Sequence, residues 1–477
     1  QMKEGYLPKD QRKNILLITD DIRLPSGVGH IGKEIVIQTA HHYNWVNLGS
    51  AINHPDVGKK FDLSQETNKE IGIEDSSCFI IPFNGYGNPD ILRHIIKEEK
   101  IDAIFIITDP RYFDWLFQVE NEIRKKTPII YLNIWDDLPA PMYNKAFYES
   151  CDALLGISKQ TVNINKMVLG EKAKRKIIDY IPHGLNPKMF FPLDKTSEEF
   201  VKFKNNATKS KEKDFILFFN SRNIRRKSIP DALLAWKYFI DTLPKEKADK
   251  CLFILHTELV SEHGTDLQAV HNYIFGESNT TVQFSTQKLS TQQMNQFYNL
   301  ADAQILLSSA EGWGLSLTEA LLTGTPIIAN VTGGMQDQMR FEDKDGNWID
   351  FDSEIPSNHT GAYQKHGKWA FPVFPSNLSL VGSPQTPYIW DDRCDPKDAT
   401  THITTLYNMT REEREKLGKE GYSWAHSEEA GFTSPQMAKR VINSVDKLFK
   451  SWEPRPNYEF INANEIEEDR APHKLLY

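Results

Sequence analysis

Residues 308–334 read SSAEGWGLSLTEALLTGTPIIANVTGG. The apolar run DAQILLSS (302–309) predicts a strand, Glu311-Gly-Trp-Gly breaks it, the spacing from about Leu315 predicts a helix, and TPIIAN (325–330) predicts the next strand. That order is one step of a parallel α/β sheet. Gly312 and Gly314 allow backbone amides close to an anion, and the helix N-terminus adds partial positive charge, so a phosphate is the natural guest. Glu311 stands at the loop's entrance and Glu319, eight positions on, projects from the early helix. A carboxylate repels a phosphate but accepts hydrogen bonds from the hydroxyls of a sugar or a ribose diol. The set fits a ligand made of sugar, phosphate and ribose. Taken singly, Glu311 and Glu319 read as a helix-flanking charge and a solvated helix residue; their placement around a glycine loop is what favours the ligand.

Working outward, NSRNIRRKS (Asn220–Ser228) follows the strand DFILFFNS. Arg222 and Lys227 lie on a loop at a strand's carboxyl end, suited to neutralising a diphosphate as it leaves. Arg225 and Arg226 offer the same charge, and for them the ordinary reading, a solvated loop residue, is preferred. CLFILHTE and TTVQFSTQ are further strand candidates, and SIPDALLAWKYFIDTL and TQQMNQFYNLA helix candidates. The Lys-rich TSEEFVKFKNNATKSKEKD (196–214) reads as an exposed crossover or surface loop. Between about 335 and 395 the alternation fails in a stretch rich in Pro, Gly, Trp and Asp, long enough to be a functional elaboration. Helical character returns in DATTHITTLYNMTREEREKLGKEGYSWAHS and SPQMAKRVINSVDKLFKSW.

The first half has its own alternation. NILLITD, NWVNLGSAI, CFIIPF, DAIFIITD, TPIIYLNIW, DALLGIS and KIIDYIPH are strand candidates, separated by helical stretches such as NPDILRHIIKEEK and RYFDWLFQVENEIRKK. SGVGHIG (Ser26–Gly32) has the G-x-G-x-x-G spacing of a dinucleotide fingerprint. Two features oppose that reading. DIRLPS separates the turn from its strand, and the acidic residue expected about 20 positions on, at the end of the second strand, is missing: NWVNLGSAI runs into Asn53 and His54, with no carboxylate before Asp56.

A chain of 477 residues implies two domains: 1–190, then 191–450 carrying the insertion near 335–395, with 451–477 as a tail against the first domain. The expected fold class is α/β, two Rossmann-like doubly wound domains facing a central cleft. The net charge of −9 gives no global pull toward nucleic acid or anionic membrane. Cys78, Cys151, Cys251 and Cys394 form no C-x-x-C pair, and neither an apolar leader core nor a membrane span is apparent, so a reducing, cytoplasmic setting is expected.

Arg222 and Lys227 with four residues between them, then E-G-W-G-L-S-L-T-E-A-L-L-T-G-T-P, resemble the retaining glycosyltransferases of family 4, of GT-B fold. GISKQT (Gly156–Thr161) and IPHGLNPKMFFP (Ile181–Pro192) are similar to the end of that family's first domain and its linker. The resemblance implies that Arg222 and Lys227 bind the donor diphosphate, that Glu311 contacts the transferred sugar, and that Glu319 holds the nucleotide ribose. Gly312 and Gly314 would let loop amides face sugar and phosphate, and Gly27 and Gly29 would face the diphosphate from the first domain. Many members carry a histidine after the strand matching TPIIYLNIW; here Asp136 takes that place with Asp137 as competitor, and an ordinary turn-capping role fits this acidic pair equally well. Lys227 is followed by serine where glycine is usual, and the insertion exceeds the family's need. Asp20-Asp21, Asp136-Asp137 and Asp391-Asp392 offer oxygen ligands for a divalent ion, but the resemblance implies metal independence, so no metal and no cofactor are expected. The expected partner is a nucleotide-diphosphate sugar, with a uracil base as first guess. The acceptor stays open among a glycan, a lipid-linked sugar, a metabolite, a protein and a modified nucleic acid. A non-catalytic nucleotide-sugar binding protein is the alternative.

Overall fold

Ile15, Leu16, Leu17 and Ile18 are fully buried in succession within β1 (Lys13–Asp20). Such unbroken burial belongs to a strand covered by helices on both faces. The computed structural model describes residues 3–50, 53, 55–466 and 472–473, and they divide into two compact units. The first runs to Gly184 and adds Asp352–Glu354 and the described residues from Ser434 onward; the second holds Leu185–Phe351 and Ile355–Thr433.

In the first unit β1 is joined by β2 (Tyr43–Ser50), β3 (Phe61–Asp62), β4 (Cys78–Pro82), β5 (Ala103–Ile107), β6 (Ile129–Asn133), β7 (Ala153–Gly156) and β8 (Ile177–Tyr180). The spatial order is β3-β4-β2-β1-β5-β6-β7-β8, parallel throughout except for the short β3 against β4. The second unit contains β9 (Phe215–Asn220), β10 (Cys251–His256), β11 (Val282–Ser285), β12 (Ala303–Leu306), β13 (Ile327–Asn330) and β14 (Ala370–Val373), ordered β11-β10-β9-β12-β13-β14 and all parallel. This is the doubly wound order, whose direction reverses between β9 and β12; ligands bind outside strand ends at such a reversal.

The expected strands all form, the last two residues of NWVNLGSAI and the neighbouring His54 lying outside the described residues. Four expectations change. The stretch 196–214 is not a surface loop: Ser197 Oγ accepts from Phe200 N at 3.2 Å and starts a helix, Glu198–Ala207, pinned by the buried Phe200. RYFDWLFQVENEIRKK breaks into the short turns Pro110–Phe113, Asp114–Phe117 and Glu120–Ile123. The irregular insertion supplies β14, the sheet's sixth strand, and an antiparallel hairpin of β15 (Asn377–Val381) and β16 (Ile389–Arg393). Finally, helix Ser434–Ser451 joins the first unit, not a second domain ending at 450, because Met437, Val441, Val445 and Leu448 bury their apolar stripe on helix Gly27–Thr39 and β8. The tail follows it: Arg455 N donates to Arg124 O at 3.0 Å and its guanidinium pairs with Glu120 at 3.3 Å, while 467–471 and 474–477 lie outside the described residues.

Helix Ser434–Ser451 is also held by charge. His42 places Nε2 2.8 Å from Asp446 Oδ2 and Nδ1 2.6 Å from Gly5 O, and Tyr43 OH donates to Asp446 Oδ1 at 2.7 Å. Both partners of the ring accept, so both contacts are satisfied as hydrogen bonds only when each ring nitrogen carries a proton. The Asp446 hydrogen bond accordingly raises the His42 pKa against the opposing effects of burial and Arg12. A raised value means the contribution is full below the unfolded value near 6.5 and is lost as the pH rises through the folded one. The difference in Tm between the parent protein and His42→Gln is therefore expected to shrink from pH 6 to pH 9; an equal difference at both would refute the clamp.

Candidate functional site

The loops that end β9 and β12 meet at the strand-order reversal of the second unit. After β9 the chain forms the turn Arg225–Lys227, and Ser228 takes a left-handed φ of 51° before helix Ile229–Ile240 begins. Ser309 N donates to Arg226 O at 2.8 Å and Arg226 Nη1 to Ala310 O at 3.0 Å, which ties the basic turn to the loop after β12. That register brings two cations onto one carboxylate: Glu311 Oε2 lies 2.7 Å from Lys227 Nζ and 3.0 Å from Arg226 Nη1. Burial alone would raise the Glu311 pKa, but the two cations outweigh it and hold it at about 2.

Gly314 takes φ +89°, and with glycine at its N-cap helix Leu315–Leu322 has no side-chain cap. Its first-turn N–H groups are thus not claimed by a capping side chain. The loop's shape is fixed from below. Trp313 Nε1 donates to Thr318 Oγ1 at 2.8 Å, Thr318 Oγ1 to Gln338 Oε1 at 2.6 Å, and Gln338 Nε2 returns to Trp313 O and Gly314 O at 2.9 and 3.0 Å. Gly334 N donates to Glu311 O at 3.0 Å. A Cβ on Gly334 would stand 2.4 Å from Gly312 O and 2.6 Å from Trp313 Cα, backbone on both sides. Gly334→Ala is therefore expected to displace the loop and cost about 1–3 kcal/mol of stability, checked by calorimetric Tm; an unchanged Tm would refute the close packing.

Glu319 is buried, with Oε2 accepting from Asn220 Nδ2 at 3.2 Å; the same Nδ2 lies 3.0 Å from Tyr298 OH. Burial pushes its pKa up to about 7, with the Tyr298 and Asn220 hydrogen bonds opposing the rise. A carboxyl group near neutrality beside a helix start switches between donor and acceptor roles within the ordinary pH range.

Of the expected set, Lys227, Glu311, Gly312, Gly314 and Glu319 come together here. Arg222 lies on the same loop, exposed and without an ion pair among the described residues. The preferred solvated reading of Arg226 is corrected, since this residue shares Glu311 with Lys227; its backbone is fixed by Ser309, which the sequence spacing does not reveal. Arg225 is exposed, as expected. Asn220 and Tyr298 were missed, although Asn220 at the end of β9 was the position to suspect.

The first-unit candidates sit at strand ends of their own sheet. Gly27 is exposed with open space around it, whereas Gly29 lies inside helix Gly27–Thr39 and donates its N–H to the cap Ser26 Oγ at 3.0 Å. The glycine loop is thus the first turn of a helix, and the Gly29 amide is committed to its cap. Asp137 is fully buried and accepts from Leu138 N at 2.7 Å and Gln160 Nε2 at 3.3 Å, while Asp136 is half-buried. Among the described residues no group of three or more His, Cys, Asp or Glu is placed to hold a metal ion, and no helix is long and apolar enough to cross a membrane.

Comparison with known proteins adds three findings. Residues 200–355 match the family model described as glycosyl transferases group 1. No curated protein sequence matches the chain. Among solved structures, sucrose-phosphate synthase from Thermosynechococcus elongatus is 16% identical with a TM-score of 0.63, covering 92% of this chain and 100% of that chain. Anabaena HepE in complex with UDP and glucose is 12% identical with a TM-score of 0.60, covering 92% and 100%. The α,α-trehalose 6-phosphate synthase of Burkholderia multivorans is 10% identical with a TM-score of 0.61, covering 92% and 99%. At these identities the likeness shows the fold, GT-B.

Proposed function

We propose that this chain, which is a group 1 glycosyltransferase of GT-B fold, acts with retention of configuration and takes its sugar from a UDP-sugar without a metal ion. The observation that carries this reading is the shared ion pair of Lys227 and Arg226 with Glu311 at the mouth of a glycine loop. A diphosphate entering the loop takes over the two cations, and Glu311, released from them, accepts hydrogen bonds from the hydroxyls of the sugar. Glu319 receives the ribose diol. The group 1 match and the UDP held by HepE support the donor class.

In the transfer the bond from the anomeric carbon to the diphosphate breaks and the acceptor oxygen bonds to that carbon on the same face. The acceptor's proton goes to the leaving phosphate oxygen, so no dedicated base is needed. Lys227 and Arg226 neutralise the charge that develops on the leaving group, the role for which preset cations are worth most. The proposal includes a cytoplasmic location, on the strength of four cysteines that are all free.

Proton NMR of the purified protein with UDP-, GDP-, ADP- and TDP-sugars, in chelator, tests the reading. Slow loss of the UDP-sugar with the released anomer initially that of the donor is expected. Inverted product would overturn retention, and turnover only after adding a divalent ion would overturn metal independence. Binding of UDP without any loss of donor in the presence of varied acceptors would favour a binding protein.

A further inference from the structure

Asp392, on β16 of the insertion, is fully buried, and no cation pairs with it among the described residues. A carboxylate in that state is costly unless its hydrogen bonds compensate. Its N–H donates to Ser309 O at 3.0 Å, its C=O accepts from Asn330 Nδ2 at 2.8 Å, and its Oδ2 accepts from Thr332 Oγ1 at 2.5 Å. Asn330 Nδ2 also reaches Ser308 O at 2.9 Å. One residue of the insertion thus joins the ends of β12 and β13. From Thr332 the chain turns through Gly333 to Gly334, which bonds to Glu311 O and lies against Gly312 with no room for a side chain. Another part of the insertion braces the same turn: Gln336 donates to Gly333 O at 3.1 Å and accepts from Asn358 N at 2.8 Å and Ser357 Oγ at 3.2 Å. The buried His359 follows, with neither ring nitrogen partnered among the described residues and its pKa pushed down by burial against the pull of Asp392.

The outer strand β15 contributes little to the core. β15 is exposed along nearly its whole length, with Leu380 57% and Val381 45% exposed. The hairpin is anchored through β16, where Trp390 and Asp392 are buried.

We infer that Asp392 is a positioning residue: through Thr332 it holds the Gly333–Gly334 turn against Gly312, so that the Glu311–Gly314 loop is preset for the donor. The insertion is then part of the donor site's scaffold. This rests on the reading of that loop as the donor loop. Asp392 itself touches no reacting atom.

The test uses the full chain with Asp392→Ala, Thr332→Val and the double variant, followed by amide hydrogen exchange and by UDP-glucose turnover. Exchange of residues 310–318 is expected to quicken at least tenfold in each single variant while β9 and β10 stay unchanged. Turnover is expected to lose tenfold or more in kcat with less than a threefold change in KM, and the double variant to be no worse than Asp392→Ala. Thr332→Val, of nearly equal volume, gives the answer if Asp392→Ala does not fold. Unchanged exchange at 310–318, additive losses, or a KM that rises as much as kcat falls would each overturn the inference. If the parent turns over no donor, the donor reading fails and the exchange result still decides the positioning.

Discussion

Glu311→Gln is expected to lower kcat for sugar transfer by about 10²–10³-fold, the usual scale for removing one preset polar group from a reacting centre. The same change is expected to leave UDP binding as tight as in the parent protein, or tighter. Glu311 holds both Lys227 and Arg226. An incoming diphosphate must take these cations from a carboxylate, and glutamine removes that competition. The two readouts move in opposite directions only if Glu311 meets the sugar and the cations meet the diphosphate. UDP affinity falling together with transfer would mean that Glu311 merely shapes the loop. Stability carries an independent sign. With the folded pKa held at about 2, the ionised carboxylate stabilises the fold above its ordinary value of 4.5, an advantage lost as the pH falls toward 2. Removing one partner of a buried pair costs about 3–5 kcal/mol. Because Arg226 is part-exposed the loss belongs at the low end, and Tm of Glu311→Gln at pH 7 measures it.

If Glu319 receives the ribose diol in its ionised form, as proposed, UDP-sugar affinity is expected to fall about tenfold for each pH unit below 7, because burial pushes the Glu319 pKa up to about 7. UDP-glucose serves better than UDP, whose own terminal phosphate protonates in the same range. Glu319→Gln should bind the donor about 10- to 100-fold more weakly at pH 8, the range for losing a charged hydrogen-bond partner, and should lose the pH dependence. The stability effect runs the other way. A raised folded pKa means the fold's advantage is full below 4.5 and gone once the pH has passed about 7. Glu319→Gln is therefore expected to melt above the parent at pH 8 and close to it at pH 5. Isothermal titration and thermal melts at the two pH values check both halves; a flat affinity profile between pH 6 and 8 would sink the assignment of Glu319 to the ribose.

Much of the site is legible in the chain because its parts are local. The glycine loop, the helix it starts and Glu319 on that helix lie within a single strand–loop–helix segment, where spacing fixes geometry. The basic turn is local too, but which of its cations faces the carboxylate depends on the Ser309–Arg226 backbone bond between two strands distant in sequence. Asn220 and Tyr298 meet Glu319 across sequence separations that no pattern reveals. Ala370–Val373 lies in the 335–395 stretch whose composition reads as irregular, and it becomes β14 by pairing with the edge of β13.

By itself the sequence determined what depends on near neighbours: the alternation of strands and helices, the two repeats of that alternation, the glycine loop with its helix, and the two carboxylates set around it. Only the tertiary structure decided what depends on contacts between distant segments. It gave helix Ser434–Ser451 to the first unit, because an apolar stripe packs wherever a matching face is open. It paired Arg226 with Glu311, and it drew Asp392 of the insertion under the loop. Burial then split two similar glutamates, one lowered to about 2 by two cations and one raised to about 7 without any. Desolvation and partner charge are properties of the folded interior, so no spacing in the chain encodes them directly.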